Sequence, residues 1–206
     1  GLNSSDSEKP TSFSNASNAT GYHSGTFGVN LTNGFLNYSA SGNFNSREGT
    51  MEFWIKPAWS GNDNQAHTLS HSSPESFNFT KTTGNDLSFS VNGTSLLSYG
   101  VSGWTSDIWQ HIALTWNNYT SNTTLHVNGT VRNNSGTAFA ISSSLSSFVI
   151  GSKRSVSDFC NCTISEFRIS RKALTAQEIN LSFSKGRQYE QNEYLLNSSN
   201  FVRGDA

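Results

Sequence analysis

The sequence predicts an all-β protein, a sandwich or barrel of antiparallel strands. Short apolar runs alternate with Gly, Asn and Ser over most of the 206 residues, a pattern typical of these folds. Two Asn-Gly dipeptides, at Asn92 and Asn128, stand between strand-like runs, where they favour two-residue hairpin turns. Aromatic residues make up 12% of the chain, which argues against a largely disordered polymer.

The individual strands follow from the alternation of apolar and polar side chains. In residues 50–56 Met51, Phe53 and Ile55 alternate with other side chains, and residues 108–116 are the longest strand candidate. The runs on either side of Asn-Gly are predicted to pair as hairpins. In chain order, the predicted strands are 50–56, 87–91, 95–99, 108–116, 125–127, 130–132, 148–150 and 164–169.

One short helix is predicted near the C-terminal end. Residues 175–178 (TAQE) form a capping box, in which the Thr175 hydroxyl accepts from an early helix amide and the Glu178 carboxylate reaches back. Leu174 and Ile179 are placed for a hydrophobic staple. We expect one or two helical turns.

The rest of the sequence divides the chain into three segments. Residues 1–20 are a polar run with a single Phe, which indicates a linker, a stalk or a leading strand. Residues 21–186 contain the predicted strands and the helix. Residues 187–206 are a polar tail with aromatic and aliphatic side chains that could dock on the domain. Because the numbering begins at Gly1 rather than Met, we expect a mature or excised piece of a longer protein.

The charge balance narrows the classes of partner. The chain has 13 Lys and Arg against 14 Asp and Glu, a net charge of -1. A nucleic-acid binder needs a basic footprint to neutralise phosphates, so we expect no nucleic-acid partner. The same balance argues against a polybasic membrane-surface module, and no apolar run is long enough for direct membrane insertion of this segment.

Acceptor triplets for N-glycosylation are unusually dense. The chain has 24 Asn, 37 Ser and 19 Thr, and it contains 14 Asn-x-Ser/Thr sequons. Roughly 6 or 7 are expected by chance from the share of Ser and Thr. The excess favours a glycosylated protein at an extracellular, cell or virion surface, although a chain so rich in these residues also scatters such triplets freely. The candidate acceptors are Asn3, Asn15, Asn18, Asn30, Asn37, Asn78, Asn92, Asn118, Asn122, Asn128, Asn133, Asn161, Asn180 and Asn197.

The two cysteines, Cys160 and Cys162, surround one of these asparagines. In an oxidising compartment they can pair only with each other or with another chain. Alternate Cα atoms of an extended strand lie roughly 6.5 Å apart, near the upper limit for a disulfide. A disulfide formed at a bulge and two free thiols therefore both remain open.

Six stretches, taken in order and at their spacing, carry a family resemblance. They are GTFGVNL (25–31), GTMEFWIKP (49–57), WQHIALTW (109–116), LHVNGT (125–130), FVIGS (148–152) and ISEFRISRKALTAQEI (164–179). Together they resemble the LamG-like jelly-roll domains of the concanavalin A-like lectin/glucanase superfamily. The last stretch is the most specific, because such domains typically close with an I-D-E-x-R-I strand and a short A-L-T/S-x-x-E-I helix.

The resemblance implies a jelly-roll sandwich of two antiparallel sheets, with the rim loops or the concave sheet as the usual ligand surface. It implies that five aromatic residues serve the framework: Phe53, Trp54, Trp109, Trp116 and Phe148. Ser165 departs from the family pattern, in which an Asp precedes the Glu at position 166. Ser165 therefore lacks the carboxylate with which that Asp would take part in calcium binding or loop ordering.

A glycan-active enzyme is not expected. Retaining and inverting glycosidases need two carboxyl groups at a defined separation, which on one strand means acids at i and i+2. Within residues 21–186 no two acids have this spacing, and the nearest pair is Glu48 and Glu52. No nucleophile elbow, phosphate loop or zinc motif occurs either.

Two kinds of binding residue are candidates. Calcium needs several oxygen ligands, and Asp63 and Asp158 are the weak candidates, so calcium is the one cofactor considered. Flat aromatic rings on loops stack on sugars, and such rings also close the ends of sandwiches. The aromatic candidates are Trp59, Tyr99, Trp104 and Tyr119.

The function expected from the sequence is a non-catalytic recognition or adhesion module that binds glycans or surface proteins. The alternative is a self-assembling structural subunit or decorating domain of a surface filament, S-layer, sheath or virion. A polysaccharide-active enzyme is the third class, and the missing acid pair argues against it.

Overall fold

The fold is a sandwich of two antiparallel sheets, as predicted. The computed structural model describes residues 9–74, 77–137, 145–153 and 158–185, and these ranges contain fourteen strands and one helix. The first sheet has the strand order β1-β4-β13-β6-β7-β8-β9, and the second has the order β12-β11-β10-β5-β14-β3-β2. The all-β jelly-roll sandwich with a single short helix near the C-terminal end is therefore confirmed for the described ranges.

The strands of the first sheet are β1 (Ser12–Ser14), β4 (Phe35–Ser39), β6 (His67–Ser73), β7 (Phe77–Lys81), β8 (Asp86–Val91), β9 (Thr94–Gly100) and β13 (Ser147–Ile150). Those of the second sheet are β2 (Ser17–Thr20), β3 (Phe27–Asn30), β5 (Glu48–Pro57), β10 (Gln110–Asn117), β11 (Asn122–Val127), β12 (Thr130–Ser135) and β14 (Cys162–Ser170). The helix α1 is Ala176–Lys185.

The core lies between the two sheets, on the inner face of each. Because side chains alternate between the faces of a strand, Met51, Phe53 and Ile55 of β5 point into the core, together with alternate residues of the neighbouring strands. Glu52 and Trp54 point to the outer face of the second sheet, and both are buried there as well. Other parts of the chain must therefore cover that outer face, and the candidate site lies where they pack on it.

Both predicted hairpins are confirmed. Val91 pairs with Thr94 and Val127 with Thr130, which leaves the two Asn-Gly dipeptides as two-residue turns. Asn92 has a φ of 48° and Gly93 one of 79°, with similar values in the second turn. Positive φ at both central residues defines the type I′ turn that this dipeptide favours.

The strand predicted for residues 108–116 begins later than expected, at Gln110. Asp107 has a φ of 63° and its backbone N–H donates to the Pro57 carbonyl oxygen at 2.8 Å, so a turn extends to this point. Ile108 consequently lies outside the strand and is 53% exposed. Trp109 is only half-buried, which the family framework did not imply.

The helix begins where the capping box predicts. The Thr175 backbone N–H donates to Glu178 Oε2 at 2.7 Å, and the Glu178 N–H donates to Thr175 Oγ1 at 3.2 Å. The helix is ten residues long, which is longer than the expected one or two turns. Its length follows from packing, because Ile179 is fully buried and Phe183, one turn further on, stacks on Trp54.

Cys160 and Cys162 form a disulfide. Asn161 between them has a φ of 47°, and this left-handed residue shortens the Cα–Cα distance to 5.3 Å. The backbone thus leaves the extended form in which the two cysteines would be too far apart.

Two strands, β1 and β2, occur within residues 1–20, from Ser12 onward. The predicted tail at 187–206 lies outside the described residues, as do Asn3 and Asn197. No described helix has the length and apolar character needed to span a membrane.

Candidate functional site

The outer face of the second sheet is covered in two parts. Helix α1 lies over one part, where Phe183 contacts Trp54 and His111 at ring-centroid distances of 5.6 and 5.7 Å. The loop between β2 and β3, residues 21–26, lies over the other part, where Tyr22 stacks on Trp54. The two covers meet on the ring of Trp54.

Beneath the helix lies a buried ionic network. Glu52 accepts hydrogen bonds from His111 Nε2 at 2.9 Å, from Arg168 at 2.9 Å and from the Ser182 hydroxyl. Burial alone would raise the pKa of Glu52, but these hydrogen bonds and the positive charge of Arg168 outweigh it and hold the pKa below its usual value. Burial lowers the pKa of the nearby His126, and the charge of His111 adds to this effect. The network joins helix to sheet and is closed to ligands.

The loop 21–26 can approach β14 because the two residues in contact there, Gly21 of the loop and Ser165 of the strand, are both small. A Cβ on Gly21 would meet Ser165 Oγ at 2.7 Å and would also collide with the Thr26 hydroxyl. Ser165 is fully buried and its Oγ accepts from the Tyr22 N–H at 3.4 Å. The Asp usual in the family would crowd this contact, so Ser165 fits the loop packing rather than a metal-related role.

Three aromatic rings form a corner at the surface. The Tyr22 and Trp54 rings are nearly parallel, 11° apart, with centroids separated by 3.4 Å, and the ring of Trp109 stands at 74° to Tyr22 at 6.0 Å. Trp54 is buried, whereas Tyr22 is 40% exposed. One face of the Tyr22 ring is thus covered by Trp54. The other face is open to solvent, and the ring of Trp109 stands beside it. Lys56 Nζ lies 5.4 Å from the centroid of Trp109.

A hydrogen-bonded histidine–glutamate pair lies beside these rings. His23 Nδ1 and Glu166 Oε1 are 2.7 Å apart, and the two side chains are 28% and 3% exposed. Glu166 has a φ of 52° and lies where the pairing of β14 with β5 is interrupted by a bulge. Its second oxygen, Oε2, is buried and has no hydrogen-bond partner among the described residues. Strained backbone and an unpaired buried carboxylate oxygen are features of functional sites.

We refer to Tyr22, His23, Lys56, Trp109 and Glu166 as the Tyr22 corner. Trp109 and the neighbouring strand residues were noted in the sequence, but none of these five residues was predicted to bind a ligand. One signal could have revealed the bulge: Ile164 and Phe167 both face the core but are three residues apart, which breaks the period of two. The Tyr-His pair carried no comparable signal.

The four predicted aromatic ligand residues do not form one site. Trp59 is buried, donates from Nε1 to the Cys160 carbonyl oxygen at 2.7 Å and stacks on His67. Trp104 stacks next to it with a centroid distance of 6.3 Å, so these two rings close one end of the sandwich.

The other two predicted aromatics each lie against an arginine. Tyr99 faces Arg132 at 5.4 Å, and Tyr119, which is 67% exposed, faces Arg47 at 5.7 Å. The ring of Tyr119 is accessible, whereas Tyr99 is half-buried against the core. No second aromatic ring contacts either of them within the described ranges. The prediction that they bind a ligand stays a prediction.

Asp63 does not fit the calcium role considered for it. Its carboxylate pairs with Lys81 and accepts from His67 Nε2 at 2.7 Å and from the Gln65 N–H at 3.0 Å. Burial alone would raise the pKa of Asp63, but these contacts, with Lys81 first, lower it to about 2. Both oxygens are thus already occupied by donors.

Asp158, the second candidate for calcium, is exposed at a left-handed turn. Its backbone oxygen accepts from the Thr68 N–H at 2.9 Å. In the described part of the chain, no three His, Cys, Asp or Glu side chains are grouped as metal ligands.

None of the twelve described sequon asparagines is buried. Four are exposed: Asn15, Asn18, Asn92 and Asn180. Asn128 is half-buried, and both ends of its amide are engaged, by Gln110 at 2.7 Å and by the His111 N–H at 2.8 Å. The sequence favoured the Asn-Gly turns as glycosylation sites. Of the two, only the turn at Asn92 therefore leaves the side-chain amide of its Asn free to receive a glycan.

Two seven-stranded antiparallel sheets packed face to face define the chain as a jelly-roll sandwich, the class of fold to which lectin-like domains belong. The family profile of Laminin_G_3, in the concanavalin A-like lectin/glucanases superfamily, matches residues 7–180, and the chain belongs to this family. No curated protein matches the chain by sequence.

Solved structures share the fold at low identity. The receptor-binding domain of botulinum neurotoxin mosaic serotype C/D has a TM-score of 0.68 at 16% identity over 86% of this chain and 46% of that one. The serotype D ligand-binding domain in complex with N-acetylneuraminic acid gives 0.64 at 16%, with the same coverage. Trypanosoma rangeli sialidase gives 0.63 at 15% over 85% of this chain and 29% of that one. The chain thus spans less than half the length of these neighbours.

Proposed function

We propose that this protein is a non-catalytic glycan-binding module, and that it acts in recognition or adhesion on an N-glycosylated extracellular surface. The observation that carries the proposal is the open face of Tyr22, backed by Trp54 and walled by Trp109. Sugar rings present a flat apolar face and polar edges, and they bind where aromatic faces and hydrogen-bonding groups occur together.

The polar groups of the Tyr22 corner favour an acidic sugar. Within the described ranges Lys56 makes no ion pair, so its ammonium group is free to bind a carboxylate at the edge of the aromatic wall. His23 is 28% exposed and is held in place by Glu166, so its imidazole is the second polar group at the corner that a sugar hydroxyl can reach. The structural neighbour crystallised with N-acetylneuraminic acid makes an acidic sugar a reasonable first probe.

Catalysis is not part of the proposal. Three glutamates lie on the outer face of the second sheet. Glu48 accepts from the Ala173 N–H at 3.4 Å, and Glu166 is bonded to His23. Glu52 is covered by α1 and bonded to His111 and Arg168. None is placed as an accessible general acid with a second carboxylate opposite. The extracellular context rests on the sequons, several of which are exposed.

The test is a binding titration with matched variants. We would titrate an oligosaccharide ending in N-acetylneuraminic acid, and its neutral counterpart without that sugar, and follow them by saturation-transfer NMR and calorimetry. Each aromatic contact contributes about 0.5–1.5 kcal/mol, so Tyr22→Ala and Trp109→Ala should each weaken binding about 2- to 12-fold. Lys56→Gln should weaken binding of the acidic sugar only.

Tyr119→Ala is the control, because Tyr119 is an exposed tyrosine beside an arginine and lies outside the Tyr22 corner. It should bind as the wild type does. Unchanged affinity in both Tyr22→Ala and Trp109→Ala, or a loss confined to Tyr119→Ala, would rule out the Tyr22 corner as the site. Turnover of the oligosaccharide would contradict the non-catalytic assignment.

A further inference from the structure

Within the described ranges, the edge strands of the two sheets contact each other on one side of the sandwich, the closed side, and two short strands end the sheets on the other, which we call the open side. On the closed side, the edge strands β9 and β12 lie against each other, and Asn133 Nδ2 donates to the Ser98 carbonyl oxygen across them at 2.6 Å. On the open side, β1 ends the first sheet and β2 ends the second. The residues of these two short strands are almost all exposed.

Within the described residues, short length is the one usual protection of this edge, because β1 has three residues and β2 has four. Natural edge strands are also blocked by lysine, proline, inward charges or bulges, because unpaired backbone groups invite pairing with another chain. Residues 11–20 contain no charged residue and no proline. The pairing of β1 with β4 and of β2 with β3 is regular, and Phe13 and Phe27 are 65% and 67% exposed.

Two sequons lie on this edge. Asn15 is exposed in the turn between β1 and β2, and Asn18 is exposed within β2. The hydroxyl residues of both sequons, Ser17 and Thr20, are exposed too. The side-chain amide of Asn18 makes no hydrogen bond with any described residue, and that of Asn15 donates only once, to the Asn33 carbonyl oxygen at 3.1 Å.

We propose that Asn15 and Asn18 carry N-glycans and that these glycans prevent edge-to-edge pairing of β1 and β2 between copies of the protein. The inference rests on the proposed glycosylated surface context. The donor is a lipid-linked oligosaccharide: the bond between Asn Nδ2 and sugar C1 forms, the bond from C1 to the lipid pyrophosphate breaks, and one amide proton is lost. One N–H remains, which is enough for the hydrogen bond from Asn15 to Asn33.

The experiment uses the chain secreted by a eukaryotic host. Glycopeptide mass spectrometry reports occupancy at each sequon, and sedimentation velocity over a concentration series reports self-association. Two double variants remove both glycans: Asn15→Gln with Asn18→Gln, and Ser17→Ala with Thr20→Ala. The second retains Asn15, whose φ of 45° disfavours glutamine. Thr94→Ala, which removes the exposed sequon of Asn92 but retains the Asn-Gly turn between β8 and β9, is the control.

We expect both edge sequons to be occupied and the wild type and Thr94→Ala to stay monomeric. Both double variants should at least double their mean mass with concentration. Two results would overturn this inference and leave the proposed function intact: monomeric double variants, or unglycosylated Asn15 and Asn18 in a protein glycosylated at other sequons. A chain without any glycan would overturn the glycosylated context as well. Sugar binding at the Tyr22 corner, measured on the same variants, should be unchanged and separates the two proposals.

Discussion

Replacing Asp63 should expose the cost of the fully buried Lys81. The Lys81 side chain is 0% exposed, and its Nζ contacts the Asp63 carboxylate, the Gln65 carbonyl oxygen at 3.0 Å and Asn85 Oδ1 at 2.8 Å. Asp63 supplies the negative charge in this set. Asp63→Asn therefore leaves a buried ammonium group with neutral partners.

Removing one partner of a buried ion pair costs about 3–5 kcal/mol, and the two remaining acceptors place this case near about 3 kcal/mol. For a chain of this size, that loss corresponds to a fall in Tm of roughly 6–12 °C. The assay is urea unfolding followed by tryptophan fluorescence, with a thermal melt by circular dichroism. Asp107→Asn makes the same chemical change at an exposed aspartate and should be nearly neutral.

The pH dependence gives a second readout. The pKa of Asp63 is lowered to about 2 in the folded protein, so its stabilisation is complete above the unfolded value near 3.8 and is lost as the pH falls toward 2. The stability difference between wild type and Asp63→Asn should shrink over that window. A difference below about 1 kcal/mol at pH 7, or no gain when Lys81→Met is added to Asp63→Asn, would refute the reasoning.

Two further substitutions test local features. Thr175→Ala should cost about 1 kcal/mol in urea unfolding, with Thr175→Ser nearly neutral, because both hydroxyls can cap α1. The pKa of Glu178 is lowered first by the hydrogen bond from the Thr175 backbone N–H and then by that from the Thr175 hydroxyl. Thr175→Ala removes only the hydroxyl, so the pKa should rise in part in an NMR titration, and an unchanged value would contradict the contribution of the hydroxyl. Ser165→Asp should displace the loop 21–26 and weaken sugar binding as Tyr22→Ala does. Ser165→Ala, the control, should retain wild-type affinity for the sugar. Wild-type affinity in Ser165→Asp would contradict the packing of the loop on Ser165.

Local chemistry made most of the fold predictable. The Asn-Gly turns determine the pairing next to the turn in two hairpins, although a bulge shifts the register further along each. The capping box determines the first residue of α1. Both features depend on neighbours in sequence. The last residue of α1 depends on packing of Phe183 against Trp54, which no local pattern contains. The late start of β10 likewise depends on a hydrogen bond from Asp107 to Pro57, fifty residues away in sequence.

The candidate site was less predictable, since its residues come from four separate segments. The family resemblance assigned Trp109 to the framework, but the turn at Asp107 leaves it half-buried at the surface. Tyr22 and His23 follow β2, a strand too short and too polar for the pattern to predict. Without β2, the segment 21–26 could not be interpreted as a hairpin loop.

The loop 21–26 and the bulge in β14 depend on each other. Glu166 adopts a left-handed φ that costs of order 1–3 kcal/mol for a residue other than glycine, and the contact with His23 contributes to holding it there. Conversely, the loop can approach only because Ser165, the residue before the bulge, is small and bonds to Tyr22. A strained acid, a stacked tyrosine and a small serine therefore make sense as one unit. Packing alone would be served more simply by a regular strand and an apolar loop, so this arrangement favours a binding role for the Tyr22 corner.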